Sequence, residues 1–516
     1  MVPPWGYRLA LALVLAQATL IVTPSGETVE SDPTTEGTSY TLTVRSKNFI
    51  HVTSDRFSSV TLDTGQLKQR WANFNFSSPK VRTMTRALSP AYLRMGGTSA
   101  DFLTFKNPCG DEQREPVMDK FVKFDMCPED WEQINKFCAQ TGLKLIFGLN
   151  LLKRTKDGRW DPSNAEALLD YNKYNVEWEL GNEPNAYKRK VNMTLSGEEI
   201  GADFNTLRSV LQARPKYRGS PLYGPDLSGI GKKKVLTMLD GFLGATRATN
   251  ATTFHSYYLN GGTATVDDFL DPQTLDGLLP GQIKEVTSFV ANRYGPQSPV
   301  WLGESGSAFS GGAPNISNRF VAGFLYLDKL GMAARMGLSV VIRQTYYGGS
   351  YGMLDTVTLA PLPDYWIAYL YKILVGPRVL KAKLALTSED GNGTGDDKNY
   401  VRAYAHCTAN ASRSGYQAGA VTLILLNMHK VNPATLALIK RSGKRTVHQY
   451  LMTAHGTEGV TSRHVDLNHR LLALVNDNTL PDIQPISIGN GDPIVLPPTS
   501  YGFYVIPKAR AKACMP

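Results

Sequence analysis

Two glutamates stand in short, similar frames that can place carboxylates for acid–base chemistry. Glu183 lies in Trp-Glu-Leu-Gly-Asn-Glu-Pro-Asn at 178–185, and Glu304 ends Trp-Leu-Gly-Glu at 301–304, 121 residues later (304 − 183). Each frame resembles a buried parallel strand that delivers an acid at its C-terminal end, where barrel enzymes hold their chemistry. Two such carboxylates can cleave a glycosidic bond, one as proton donor and one as nucleophile. Either glutamate alone could equally be a solvated loop acid, but two frames about three βα units apart favour a catalytic pair.

The residues around Glu183 suit it to the role of the acid. Pro184 prevents a regular hydrogen-bonded ladder, so the carboxyl is expected at a fixed turn. Asn182 can donate to a sugar hydroxyl. In a retaining hydrolase the two carboxyls lie roughly 5–5.5 Å apart, and their repulsion keeps the acid protonated. Glu179 is the rival acid; alternatively it faces the helical shell or pairs with a basic residue.

Eight short β-branched or aromatic runs, each ending in a turn-prone residue, predict the strands that position these acids. They occupy residues 59–63, 92–96, 144–150, 176–181, 221–226, 252–258, 300–304 and 340–344. Most are separated by helix-like segments, as a (β/α)8 barrel requires. The sequence therefore predicts an α/β fold with a TIM barrel over 55–378. Its clearest helix is at 320–336, where apolar residues recur on one face.

The C-terminal part of the chain, 379–516, has a different pattern. Apolar or alternating runs at 422–427, 447–452, 470–475 and 502–506 follow one another without helices between them. This pattern predicts a C-terminal antiparallel β-sandwich domain. A lone alternating strand at 39–47 precedes the barrel and is expected to join the sandwich.

The composition is that of a folded, basic protein. Of 516 residues, 42% are hydrophobic and 19% charged, and the formal net charge is +10. This charge favours a polyanionic partner: nucleic acid, an acidic membrane surface or a sulfated polysaccharide. Residues 1–18, with Arg8 before an apolar run, are typical of a secretory signal peptide, and no later run is long enough to span a bilayer. Secretion argues against nucleic acid and predicts glycans at Asn75, Asn192, Asn250, Asn315, Asn392 and Asn410.

Several ordered motifs resemble the heparanase branch of glycoside hydrolase family 79, from about residue 55 to the C-terminus. They lie at 93–98, 178–185, 222–226, 254–261, 301–304, 361–366 and 502–506. The resemblance implies a retaining endo-β-glucuronidase that acts on heparan sulfate without a cofactor, with Glu183 as acid/base and Glu304 as nucleophile. It also implies cell-surface proteoglycans as partners and a secreted, extracellular-matrix or lysosomal location. The implied substrate contacts are Asp63, Thr64, Gly65, Thr98, Asn182, Ser310, Gly311, Gly349 and Tyr351. Without the resemblance, Asp63 would be read as a strand-end cap and Tyr351 as a buried aromatic.

The chain departs from this family pattern in two places. Ser256 stands where a second histidine is expected beside the site, which predicts the loss of one sugar contact. The segment between 105 and 138 is short and lacks a basic stretch. Because so little chain could be excised there, we expect activity from an uncut chain. Residues 447–451 resemble the family's non-hydrolytic branch. Two alternatives therefore stay open: a protein that binds heparan sulfate without cleaving it, and an exo-acting β-glucuronidase.

Basic residues cluster at two places. Lys232, Lys233 and Lys234 follow the fifth predicted strand, with Lys216 and Arg218 upstream. Such a run is commonly only a solvated face, but in a barrel with a sulfated substrate it is predicted to line the rim and attract sulfates. The second cluster, in the sandwich, is interpreted either as a matrix-binding patch or as a surface without a partner. It comprises Lys440, Arg441, Lys444 and Arg445.

Five cysteines in an oxidising compartment predict two disulfides and one unpaired thiol. Cys407 is expected to bond Cys514, closing the sandwich onto the C-terminal tail. Cys138 is expected to pair with Cys127 or Cys109, and Cys127 is preferred. The spacing of cysteines and histidines predicts no metal site.

Overall fold

The computed structural model describes residues 37–387, 399–439, 446–489 and 491–516. The predicted signal peptide, the sequon at Asn392 and the basic cluster at 440–445 lie outside these residues. The five described sequon asparagines, Asn75, Asn192, Asn250, Asn315 and Asn410, are all exposed.

Eight parallel strands close into a barrel in chain order, and the eighth pairs with the first. They are Ser58–Thr61, Tyr92–Met95, Lys144–Leu149, Glu177–Leu180, Leu222–Ser228, Ala251–Asn260, Val300–Phe309 and Val340–Arg343. Each overlaps a strand predicted from the sequence, so the TIM barrel is confirmed. The early residues of the strands fill the barrel's lower interior with apolar side chains, among them Tyr92, Tyr223 and Trp301. Polar residues are thereby left to the C-terminal mouth, where barrel enzymes keep their active sites.

Helices cover the barrel and bury their apolar faces against the strands. They are Thr64–Lys68, Pro79–Ala87, Pro128–Thr141, Ser163–Tyr171, Tyr187–Val191, Gly197–Gln212, Lys233–Ala245, Val266–Leu270, Pro272–Gly277, Leu279–Tyr294, Ala322–Arg335 and Pro363–Leu374. A further short helix, Ala411–Ser414, lies in the C-terminal domain. Ala322–Arg335 is almost entirely buried because the second domain covers its outer side. Tyr404 of that domain packs so closely on Gly331 that an added Cβ would lie 2.2 Å from its ring.

The second domain is a curled twelve-stranded sheet. Its strands are Thr38–Arg45, His51–Val52, Val375–Leu386, Val401–Thr408, Val421–Asn427, Ala434–Leu438, Val447–Ala454, Val465–Leu467, Arg470–Leu471, Ile486–Ile488, Ile494–Leu496 and Ser500–Ile506. Thr38–Arg45 pairs antiparallel with Val375–Leu386, which confirms that the N-terminal strand joins this domain. Alternation in Val421–Asn427 buries both faces: Leu423 packs in the sheet's own core, whereas Ile424 packs towards the barrel.

The disulfides differ from the expectation at one of two positions. Cys407 bonds Cys514 across 107 residues, the expected pairing. Cys127, however, bonds Cys109, so the expected bond between Cys127 and Cys138 is wrong. Cys127 caps helix Pro128–Thr141, and a rise of 1.5 Å per residue places Cys138 about 16 Å further along it. Cys138 is a buried free thiol.

Across the described ranges, every helix is too short or too polar to cross a bilayer.

Candidate active site

The polar centre of the barrel mouth is organised by Arg94, a fully buried residue of the second strand. A buried guanidinium is stable only with several partners. It donates to Glu179 Oε2 at 2.7 Å, Glu304 Oε2 at 2.8 Å, Asp226 Oδ2 at 3.1 Å and Asn182 Oδ1 at 3.2 Å. Sequence reasoning gave Arg94 no role. The available signal was a lone charge in the apolar strand Tyr-Leu-Arg-Met, because a buried cation must be paired.

Glu183 stands three residues after the fourth strand, at the turn predicted from the sequence. Its backbone is left-handed, with φ 53° and ψ 58°, a conformation that non-glycine residues rarely adopt. Its N–H donates to the carbonyl of Asp226 at 3.1 Å, which ties the turn to the end of the fifth strand. The side chain is 18% exposed. The carboxyl is therefore held at a fixed place that a substrate can reach.

Glu304 lies in the seventh strand and faces Glu183 across the mouth. Besides the bond from Arg94, it accepts a hydrogen bond from the Tyr257 hydroxyl at 2.6 Å. One of its carboxylate oxygens lies within 4.8 Å of an oxygen of Glu183. Retaining glycosidases hold the two carboxyls roughly 5–5.5 Å apart, whereas inverting enzymes need roughly 6.5–9.5 Å. This approach of two carboxylate oxygens is nearer to the retaining spacing than to the inverting one.

His255, in the sixth strand, lies between Glu183, which follows the fourth strand, and Asp226, which belongs to the fifth. Its Nδ1 lies 3.3 Å from Glu183 Oε1 and its Nε2 lies 3.2 Å from Asp226 Oδ1. Burial lowers the pKa of His255, but the carboxylates of Glu304 and Asp226 outweigh burial and raise that pKa to about 10. Burial raises the pKa of Glu183, yet His255 and the Lys190 ammonium together bring it down to about 2. Both shifts favour a proton on His255 and an ionised Glu183, whereas repulsion between the two carboxyls alone was expected to keep the acid protonated.

Glu179, the rival acid, lies beneath this pair. Its side chain is fully buried and bonded to Arg94, so it pairs with a basic residue instead of facing the helical shell. Burial raises the pKa of Glu179 to about 8. A carboxyl without exposed surface cannot reach a substrate, so of the two candidates only Glu183 borders the cleft.

Three predicted substrate contacts lie at the end of the first strand. Asp63 caps helix Thr64–Lys68, accepting from the N–H of Gly65 at 2.7 Å, and it also accepts from the Gln344 amide at 2.8 Å. Asp63 therefore caps the helix at the end of the strand, as its sequence position alone suggests, and it also lies at the mouth of the barrel. Thr64 is fully buried, and its hydroxyl donates to the carbonyl of Gly96 at 2.9 Å, so this side chain does not face the cleft.

Two further predicted contacts, Asn182 and Thr98, bond the cations Arg94 and Lys190. Asn182 is 2% exposed, and its Oδ1 accepts from Arg94 and from the N–H of Gly97 at 3.2 Å. The hydroxyl of Thr98 accepts from Lys190 at 3.0 Å. Both side chains are therefore fixed by cations that also bond Glu304 or Glu183.

The remaining four predicted contacts are in the loops after the seventh and eighth strands. Ser310 and Gly349 are exposed, and both have left-handed backbones with a φ of 64°. The N–H of Ser350 donates to the carbonyl of Gly311 at 2.7 Å and joins the two loops. Tyr351 is 9% exposed and packs against the neighbouring glycines, so it is largely the buried aromatic of the simpler interpretation.

The lysines at 232–234 are all exposed, after the fifth strand and around the start of helix Lys233–Ala245. They lie at the C-terminal end of the barrel strands, the end predicted for them. Lys216 precedes the fifth strand, in the turn Pro215–Tyr217, and so lies at the opposite end of the barrel. Sequence reasoning missed a further basic run, Lys188 to Lys190, which begins five residues after Glu183. Lys188 and Arg189 are exposed, and Asn185 bonds Ser228 at the end of the fifth strand, which brings the two basic loops together.

Ser256 does not lie against the cleft. Its hydroxyl donates to Gln282 Oε1 at 2.6 Å, in the helical shell, whereas His255 and Tyr257 face the mouth. Successive residues of a strand point to opposite faces. The expectation that Ser256 removes a sugar contact is therefore wrong.

Among the residues that the structure describes, Glu183, His255 and Glu304 are the group whose potential ligand atoms lie close enough for a metal ion. Both carboxylates already have cationic partners, since Arg94 bonds Glu304 and Lys190 bonds Glu183. This set suits proton transfer and nucleophilic attack at a sugar carbon.

A closed (β/α)8 barrel with a facing carboxylate pair at its C-terminal mouth defines the class of protein, a glycoside hydrolase. The chain belongs to glycosyl hydrolase family 79: residues 36–331 match the model of the family's N-terminal domain. Heparanase of Gallus gallus is 39% identical, over 90% of this chain and 95% of that protein. Inactive heparanase-2 of Homo sapiens is 33% identical, over 93% and 90%.

The fold has counterparts among solved structures. A 4-O-alpha-L-rhamnosyl-beta-D-glucuronidase from Fusarium oxysporum matches with a TM-score of 0.63 at 17% identity, covering 90% of this chain and 100% of that one. At this identity the likeness shows the shared architecture.

Proposed function

We propose that the protein is a retaining endo-β-glucuronidase that cleaves heparan sulfate, with Glu304 as nucleophile and Glu183 as acid/base. The observation that carries the proposal is the approach of their carboxylate oxygens to within 4.8 Å. The relative named heparanase supports the substrate class. The exposed lysines at 232–234 and the exposed Lys188 and Arg189 support a sulfated polymer, because cations at the rim attract sulfates.

The contacts of the pair suggest how each step proceeds. Glu304, fixed by Arg94 and Tyr257, attacks the anomeric carbon while the glycosidic bond breaks. Glu183 protonates the departing oxygen, and the proton is available from His255 at 3.3 Å. In the second step Glu183 takes a proton from water, which hydrolyses the sugar–Glu304 ester.

We also propose that the protein acts outside the cell or in lysosomes as a single chain. Two disulfides support an oxidising compartment. The bond between Cys109 and Cys127 spans most of the short segment after the second strand and would hold it together after a cut. Cell-surface proteoglycans are the corresponding natural substrates.

Digestion of heparan sulfate by the purified chain, followed by sizing of the products, tests the function. We expect intermediate-sized fragments from the wild-type protein and no cleavage by Glu183→Gln or Glu304→Gln, with heparin affinity retained. Glu166→Gln, on the outer helix Ser163–Tyr171, is the matched control and should cleave normally. Release of single sugars only would favour the exo-acting alternative. Binding without cleavage would favour the non-catalytic alternative that inactive heparanase-2 represents.

A further inference from the structure

Lys190 occupies the side of Glu183 that His255 leaves open. It lies in the short helix Tyr187–Val191, and its ammonium donates to Glu183 Oε2 at 3.2 Å and to the Thr98 hydroxyl at 3.0 Å. His255 lies against Oε1 at 3.3 Å. Each oxygen of the proposed acid therefore has its own cation in the resting protein.

This arrangement keeps Glu183 ionised, and an ionised carboxylate cannot donate the proton that the first step needs. A general acid must carry its proton when the glycosidic oxygen arrives, whereas two adjacent cations favour the carboxylate. His255 is 1% exposed and is also held by Asp226 at 3.2 Å, so it cannot leave. Lys190 has a flexible stem, and its other hydrogen bond is to a neutral hydroxyl. Lys190 is therefore the cation that a substrate can move.

We propose that Lys190 is a counter-ion that the substrate displaces: it holds Glu183 ionised until an anionic group of the leaving sugar draws it away. The inference rests on the proposed function, because it concerns the same acid. With Lys190 paired to a sulfate or carboxylate, the Nδ1 proton of His255 passes to Glu183 Oε1. Glu183 then gives that proton to the glycosidic oxygen as the old C–O bond breaks and Glu304 bonds the anomeric carbon. His255 regains a proton when Glu183 deprotonates water in the second step.

The other charged or titratable groups around Glu183 come from the second, fifth, sixth and seventh strands and the loop after the second. They are Arg94, Asp101, Asp226, Tyr257 and Glu304. Arg94, Asp101, Asp226 and Glu304 are buried, with exposures from 0 to 6%, and Tyr257 is half-buried and bonded to Glu304 at 2.6 Å. Sulfated substrates are thereby activated at the bond next to their own charge, and unsulfated ones are cleaved slowly.

Two matched oligosaccharides test the proposal. Both carry the same glucuronide bond, one to N-acetylglucosamine and one to N-sulfoglucosamine, so the leaving alcohol is nearly constant. The pH dependence of kcat reports the acid in the bound complex. For the wild-type protein we expect the alkaline limb to lie about one to three pH units higher with the sulfated substrate, the effect that an adjacent opposite charge has on the pKa of a carboxyl. Lys190→Met should give both substrates the same, higher limb, and Lys190→Arg should restore the difference.

Coincident alkaline limbs for the wild-type protein, or a difference that persists in Lys190→Met, would overturn the proposal. A purely structural role of Lys190 would lower kcat for both substrates without moving either limb, and this result also counts against it. If neither substrate is cleaved, the proposed function fails, and infrared difference spectroscopy then decides the inference alone. A sulfur-linked, uncleavable sulfated analogue should create a carboxylic-acid band in the wild-type protein that is missing in Glu183→Gln and in Lys190→Met. No band in the wild-type protein refutes the displacement.

Discussion

Replacing Arg94 with methionine should both destabilise the protein and impair catalysis. The substitution preserves length and apolar stem but leaves the carboxylates of Glu179, Asp226 and Glu304 buried without their shared cation. Breaking a buried ion pair from one side costs about 3–5 kcal/mol. Unfolding entropy is about 2.1 cal/mol/K per residue, or about 1.1 kcal/mol/K for 516 residues, so we expect Tm to fall by about 3–5 °C. Displacement of Glu304 by about 1 Å should lower kcat about 100-fold.

Thermal melts at one scan rate and heparan sulfate cleavage of the same preparations measure both effects. Arg159→Met is the matched control, because the pair of Arg159 with Asp157 is solvent-exposed and should leave Tm and kcat unchanged. Glu179→Gln added to Arg94→Met removes one of the unpaired carboxylates and should recover part of the lost Tm. A wild-type Tm together with a wild-type kcat in Arg94→Met would refute the role of Arg94 as the organiser of the site.

Three further substitutions test separate contacts. Tyr257→Phe removes the 2.6 Å hydrogen bond to Glu304. Since a charged hydrogen bond is worth about 1.5–3 kcal/mol, kcat should fall about 10- to 100-fold with little change in KM. An unchanged kcat would show that the hydroxyl plays no part in the reaction. Replacing the lysines at 232–234 with alanine should raise KM for heparan sulfate and flatten its salt dependence, while a small neutral-aglycone glucuronide is hydrolysed as before; equal losses on both substrates would mean a structural role. Burial lowers the pKa of His406 to about 4, below its unfolded value of about 6.5. The unfolded chain therefore binds the extra proton, and stability is lost as pH falls from about 6.5 to 4; Tm in this range should fall less steeply for His406→Gln, and equal slopes would contradict the assignment.

The barrel and its two acids were accessible from the sequence because their signals are local. Each strand overlaps one β-branched or aromatic run; Glu183 stands three residues after the fourth strand, and Glu304 follows the apolar start of the seventh. The second domain was accessible for the same reason, since runs without intervening helices cannot build βα units.

The side-chain contacts between strands could not be predicted from the sequence, because they depend on closure of the barrel. Arg94 meets Glu304 across 210 residues, and no local pattern encodes that contact. His255 and Lys190 likewise gain their roles only where the fourth and sixth strand ends converge. The disulfide error could have been avoided from the sequence, because ten residues of a helix-like segment separate Cys127 from Cys138 and hold them apart. The outward direction of Ser256 also followed from alternation with its neighbours.

Capture of the covalent intermediate tests the proposed chemistry most directly. A glucuronide with fluorine in place of the 2-hydroxyl and a reactive leaving group slows hydrolysis of the sugar–enzyme ester, so the ester accumulates. Peptide mapping by mass spectrometry should then find one fluoroglucuronyl group, attached to the peptide that contains Glu304, with Glu304→Gln unlabelled. Labelling of a different residue, or turnover of a natural substrate to the inverted anomer, would contradict the retaining mechanism and the assignment of Glu304 as nucleophile.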